Sequence, residues 1–229
     1  MCGRFTLRSS ANAIADQFQL SFLPDLQPRY NIAPTQSIAV VRLAPAASDA
    51  HEAANRELVM LHWGLIPSWA KDRKIGYSTI NARAETVDSK PAFRQAYQKR
   101  RCLVLCDGYY EWQKIDAKQK QPYYIHRRDD QPFALAGLWE HWQRGDQALQ
   151  SCTIIVTAAN PLLQSIHDRM PVILERGDYD LWLDPEAKGT PQLRELLRPL
   201  AGDDLEAYRV STVVNSPKND LPQCIAPAT

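Results

Sequence analysis

Along this chain apolar positions alternate with polar ones more often than they return at helical spacing, so strands are expected to outnumber helices. Residues 3–7 alternate as a short strand. Ser9 or Ser10 is placed to cap a helix running through Leu20, with Ile14 and Phe18 on one face at i, i+4 spacing. Residues 28–34, PRYNIAP, carry turn chemistry and are expected as an ordered loop. Residues 37–43 and 57–63 read as partner strands. Between them, 44–55 is Ala-rich and polar with no apolar face, as suits the exposed connector of a hairpin. Residues 64–69, GLIPSW, form a loop exposing an aromatic, followed by the basic stretch 71–74. Pro91 suits the first turn of a helix reaching Arg100. Residues 101–111 are the most strand-like in the chain, and further strands are expected at 123–126, 133–139, 152–157 and 172–174. Asn160-Pro161 opens a short helix through Ser165, and helices are expected at 178–183 and 191–197.

These strands do not alternate regularly with helices, which argues against a parallel α/β sheet. The expected fold is α+β: one domain over residues 1–229, its mixed, mostly antiparallel sheet forming a partly open, barrel-like core flanked by helices. No internal repeat or linker divides the chain.

Composition narrows the picture only slightly. With 229 residues, 45% of them hydrophobic, the chain has material for a sizeable core. A formal net charge of +1 does not announce a nucleic-acid binder, yet a binding groove needs only local positive charge. The five cysteines are odd in number and contain no Cys-x-x-Cys. Cys102 and Cys106, at i and i+4 of one strand, would lie roughly 13 Å apart, beyond the limit of about 7 Å for a disulfide. Reduced thiols and a cytoplasmic location are expected, as is the absence of any metal or cofactor. With no leader and no apolar run of membrane length, a soluble, unexported protein is expected.

The most informative residue is the second. Removal of Met1 before Cys2 would leave a cysteine with a free α-amine and a thiol on neighbouring carbons. Their unperturbed pKa values are about 7.7–8.0 and about 8.5, and an adjacent ammonium is expected to lower the thiol further. Such a 1,2-aminothiol can attack an acyl carbon through sulfur. It can also condense with an aldehyde, amine first and sulfur second, to close a thiazolidine ring. Other polar candidates are weak singly. Asn81 and Arg83 suit loop capping and a solvated charge. His167 suits a helix end. Glu111, in GYYEW, is a carboxylate flanked by aromatics at the end of an apolar strand, where desolvation raises a carboxyl pKa and suits proton shuttling. Trp63 reads as core and Trp69, in its polar loop, as the exposed ring.

Taken together these stretches resemble the SRAP family, the SOS-response-associated peptidases or abasic-site processing proteins. The resemblance is carried by MCGRF at the start, RYNIAP at 29–34, WGLIPSW at 63–69, NARAET at 81–86, DGYYEW at 107–112, VTAAN at 156–160 and IHDRMP at 166–171, in family order. It implies covalent capture of abasic sites in single-stranded DNA, shielding the lesion at replication forks. The Cys2 amine would form a Schiff base with the ring-opened sugar, and the thiolate would close the thiazolidine. Asn81 would hold the amine or a sugar oxygen, Glu111 would move protons, and His167 would assist sugar opening. Arg4 and Arg83 would clamp phosphates, with Arg169 a lesser clamp, and Trp69 would stack on a base beside the lesion. The peptidase label implies release of Met1, by self-cleavage or by an aminopeptidase, and the Schiff base implies weak lyase activity. A monomer suffices, nucleoid-associated when bound to DNA. One departure stands out: where members often carry a second aromatic after Trp69, this chain has Ala70.

Two other readings fit Cys2 less closely. A class II glutamine amidotransferase-like N-terminal-nucleophile hydrolase also starts at a processed Met-Cys-Gly. It typically continues with an aliphatic residue, whereas Arg4 stands here, and no Asn-Gly pair for an oxyanion hole follows. A non-covalent single-stranded DNA binding module would leave Cys2 incidental.

Overall fold

The computed structural model describes residues 2–22, 25–44 and 56–228. The first half of the chain holds β1 (Phe5–Leu7), α1 (Ala11–Phe18), β2 (Arg29–Ile32), β3 (Ser37–Leu43), β4 (Arg56–Trp63) and β5 (Asn81–Arg83), then α2 (Arg94–Lys99), β6 (Arg101–Cys106) and β7 (Gly108–Lys114). After these come β8 (Lys120–Arg127), β9 (Phe133–Arg144), β10 (Gln147–Ala158), β11 (Arg169–Pro171), β12 (Ile173–Leu174), α3 (Tyr179–Leu183), α4 (Pro191–Glu195) and β13 (Leu205–Arg209).

Five strands close on themselves in the order β10-β4-β3-β6-β9, with the long β9–β10 hairpin completing the ring. Most pairs are antiparallel, but β10 runs parallel to both β4 and β5. The expected mixed, mostly antiparallel, barrel-like core is thus present. A second sheet, ordered β13-β8-β7-β1-β2, packs against it through Phe5 and Tyr109, which join the main hydrophobic cluster. Phe5 meets Trp63 of the barrel edge-on at 5.2 Å between ring centres. Every residue of β6 is buried, as a strand covered on both faces requires. Ser10 caps α1 by accepting from the Ala13 amide, and α1 buries Ile14 and Phe18 as its spacing predicts.

Several expectations are corrected. Residues 101–111 are two strands in different sheets. The break falls at Asp107, whose carboxylate accepts from the backbone amides of Arg8 and Ser9 and, at 2.6 Å, from the Ser9 hydroxyl. A buried carboxylate with three donors makes charge-assisted hydrogen bonds that fix this corner. Residues 29–32, expected as loop, pair with β1 because Asp220 accepts from the amides of Tyr30 and Asn31 and fixes that edge. Residues 161–166 make successive turns instead of a helix, although Asn160 still caps them by accepting from the Leu163 amide at 3.1 Å. The helix expected from Pro91 is regular only from Arg94. Strands β3 and β4 pair as a hairpin. Of the connector expected between them, residues 45–55 lie outside the described residues.

Candidate functional site

Cys2 enters the space between the two sheets because β1 is clamped on both sides. The Asp107 amide donates to Thr6 and the Tyr110 amide to the Arg4 carbonyl, so the start of the chain runs antiparallel to β7. Cys2 is fully buried. From the barrel side, β5 brings Asn81, whose Nδ2 donates to the Cys2 carbonyl at 2.8 Å. The Oδ1 of Asn81 is buried and has no hydrogen-bond partner, which leaves an unused acceptor on a side chain bonded to Cys2.

Glu111 follows two residues after Tyr109 on β7 and shares its inward face. It is only 4% exposed. Burial pushes its carboxyl up to about 7, against the pull of the chain's terminal ammonium, and Asp168 adds to the rise. The sequence-based expectation of a high-pKa carboxyl is met by the cause foreseen. The expectation for the thiol is corrected: burial pushes the Cys2 thiol up, and the Glu111 charge pushes it further, while the terminal ammonium pulls it down only in part. The sulfur therefore sits here as a neutral thiol.

His167 follows the capped turn, its amide donating to the Leu163 carbonyl at 2.9 Å. Its Nδ1 accepts from the Arg169 amide at 3.0 Å and lies 2.9 Å from the carboxylate of Asp168, which is largely exposed. The backbone amide is the fixed partner, so the neutral ring carries its proton on Nε2. Burial, then the terminal ammonium, lowers the pKa of this histidine, and Lys120 lowers it further. Cys2, Asn81, Glu111 and His167 thus converge on the amino terminus from β1, β5, β7 and the approach to β11.

The residues expected to bind DNA surround this point unevenly. Arg83 is exposed on β5, and Arg169 starts β11; both strands flank the end of β10. Arg169 is held by Glu85, whereas Arg83 makes no ion pair among the described residues. Arg4 is half-buried. It donates to the Asn31 side chain at 2.8 Å and to the carbonyls of Val214 and Asn215, tying down the distal segment. Trp69 stands 58% exposed. Its loop leaves β4 at Gly64, where φ is +134° and a Cβ would lie 2.6 Å from the Gly76 carbonyl oxygen, so only glycine fits. Ala70 points inward against Ile66 and Trp142, and Trp142 Nε1 donates to its carbonyl at 2.8 Å. The missing second aromatic therefore falls on a buried position, and of the two rings in residues 63–69 Trp69 is the one presented. Tyr109, which sequence reasoning passed over, has a buried hydroxyl with no hydrogen-bond partner, near Cys2 and Glu111. Its place in DGYYEW, two residues before Glu111, was the available signal.

A barrel core that buries a second-position cysteine between an amide, a high-pKa carboxyl and a histidine defines a protein organised around its own amino terminus. Residues 1–217 match the SOS response associated peptidase (SRAP) model, and the chain belongs to that family. It is 46% identical over 229 residues to abasic site processing protein YoqW of Bacillus subtilis, covering 98% of this chain and 99% of that one. It is 34% identical to abasic site processing protein HMCES of Xenopus tropicalis, over 87% of this chain and 66% of that protein. A crystal structure of a protein from Bacteroides thetaiotaomicron superposes over the whole of both chains with a TM-score of 0.85 at 27% identity.

Proposed function

We propose that this protein processes abasic sites in single-stranded DNA by capturing the sugar aldehyde covalently at Cys2. The observation that carries the reading is the bridge from Asn81 to the Cys2 carbonyl, with the amide oxygen left open, together with a carboxyl of pKa about 7 whose charge reaches Cys2. The named function of the relatives, abasic-site processing, agrees with it.

Release of Met1 exposes the Cys2 amine. His167 Nε2–H hydrogen-bonds the sugar ring oxygen and favours the open aldehyde. Glu111 takes a proton from the ammonium, and the free amine adds to the carbonyl carbon. Glu111 returns that proton to the hydroxyl that leaves as water, giving the imine. The neutral thiol then adds across the imine: sulfur bonds to carbon, and the thiol proton passes through Glu111 to nitrogen. One water is lost overall. A protonated thiol favours this order, because the amine is the stronger free nucleophile until the imine forms. Asn81 Oδ1 accepts from the nitrogen while it carries hydrogen, before the imine forms and again once the ring has closed. Ring closure consumes the imine and so limits strand scission by β-elimination to a weak side activity. Trp69 stacks on a neighbouring base, a contact worth about 1–3 kcal/mol, while Arg83 and the unused part of the Arg4 fork hold phosphates.

Purified protein mixed with an abasic oligonucleotide and run on a denaturing gel is expected to give a heat-stable, lesion-dependent shifted band, with mass spectrometry placing the link at Cys2. Cys2→Ser is expected to give none. The same durable conjugate from that variant, or an intact Met1 in the conjugated protein, would overturn the reading.

A further inference from the structure

The β7–β8 hairpin makes a cleft that the capture chemistry does not use. Tyr109 packs into the main core, while Tyr110 and Trp112 belong to a separate cluster on the other face of the second sheet. On that outer face a cavity of about 620 Å³ opens between Arg4, Trp112, Asn215 and the hairpin lysines Lys114, Lys118 and Lys120. This is room for a nucleotide, since small-ligand sites run from roughly 300 to 1,000 Å³. Its walls are fixed: Trp112 Nε1 donates to Asn215 Oδ1 at 2.8 Å, and the Arg4 guanidinium lies 5.9 Å from the Trp112 ring centre.

The charge is uncommitted. Arg8, Arg29, Arg42, Arg56, Arg100, Arg127, Arg169 and Arg194 are paired with carboxylates. Among the described residues none of the three hairpin lysines forms an ion pair. The one acid in the turn, Asp116, also lines the cleft, and its Oδ1 accepts from the amides of Lys118 at 2.7 Å and Gln119 at 2.8 Å. The cleft also lies near the site. Arg4 lies two residues from Cys2, the Lys120 charge reaches His167, and Gln113 of the hairpin donates to the Ser165 carbonyl at 2.9 Å. Strand pairing sets Lys114 directly opposite Lys120, which puts both side chains side by side on one face of the hairpin.

We infer that this cleft is a phosphate-binding subsite that carries the single strand away from the lesion on one side only, the hairpin lysines taking successive phosphates. The inference rests on the proposed action on single-stranded DNA, and it assigns Trp69 and the hairpin to opposite arms of the strand.

The test is the double variant Lys114→Gln, Lys118→Gln, which leaves Cys2, Asn81, Glu111 and His167 in place, together with the Lys120 charge that reaches His167. Single-stranded oligonucleotides of equal length, with the abasic site near one end or the other, are titrated at several salt concentrations. For the wild type, apparent affinity is expected to gain about tenfold from extension on one side of the lesion. In the variant most of that gain is expected to be lost, and the salt slope to become shallower by about 1.4, at roughly 0.7 for each phosphate left without its lysine. Conjugate yield at saturating DNA should be unchanged. An unaltered slope and length dependence would overturn the subsite, as would equal weakening on both sides, which would be a general field effect. Fluorescence anisotropy with undamaged single strands reads the same slope without conjugation. A wild type that binds with this slope but never conjugates therefore sinks the capture chemistry and not the cleft.

Discussion

At the scale of single residues, the site depends on one carboxyl held between two charge states. Glu111 is deprotonated enough at neutral pH to accept a proton and protonated enough to return it, because burial has moved it to about 7. Its base form disappears below that value, so capture at subsaturating DNA is expected to slow as pH falls from 8 to 6. Glu111→Gln should lower the rate by about 10²-fold or more and remove that inflection; a variant with an unchanged pH profile would deny Glu111 its role. The same shift has a thermodynamic sign. The folded state holds the proton more tightly than the unfolded chain, so the ionised group costs stability as pH rises from the ordinary carboxyl range through 7, by about 3 kcal/mol at most. Glu111→Gln is therefore expected to raise Tm at pH 8 relative to wild type, and to do so less at pH 5.

At the scale of elements, the decisive feature is the corner that divides β6 from β7. Read as a row of apolar residues, 101–111 is one strand. Asp107 ends it by accepting from Arg8 and Ser9, groups far away in sequence, and no local pattern announces partners at that distance. Gly108 starts the next strand at a close approach: a Cβ there would collide with the Tyr124 ring. Tyr124 is itself pinned by a 2.9 Å hydrogen bond to Thr6 of β1. Gly108→Ala is expected to cost about 1–3 kcal/mol through overpacking, seen as a Tm lower by roughly 2–4 °C per kcal/mol. It should also slow conjugation, because β7 carries Glu111. Full activity with an unchanged Tm would show that the corner is not needed. Strand β2 was missed for a related reason, since turn-forming residues are paired there only because Asp220 holds their amides. Where the signal was local, as in α1 with its Ser10 cap or the β3–β4 pair, sequence and structure agree.

At the scale of the whole molecule, the second sheet lies over the barrel and its first strand closes the space around Cys2. All five cysteines are buried free thiols. With Met1 retained, the native protein is expected to resist a water-soluble thiol reagent and to titrate five thiols once denatured. Cys2 should become the first to label when Met1 is removed. Rapid labelling of Cys2 in the Met1-bearing chain would contradict the packing described. No helix of the described residues is long and apolar enough to cross a membrane.

By itself the sequence determined the chemistry available: a second-position cysteine, a carboxyl among aromatics, an amide and a histidine in recognisable motifs, on strands whose alternation is a local property of the backbone. Only the tertiary structure decided which of these groups meet and in what charge state. Proximity between residues 2, 81, 111 and 167 follows from sheet pairing, and the neutral thiol and the carboxyl near 7 follow from the water that pairing excludes. Desolvation is a property of the surroundings, and the surroundings of Cys2 are assembled from four separate parts of the chain.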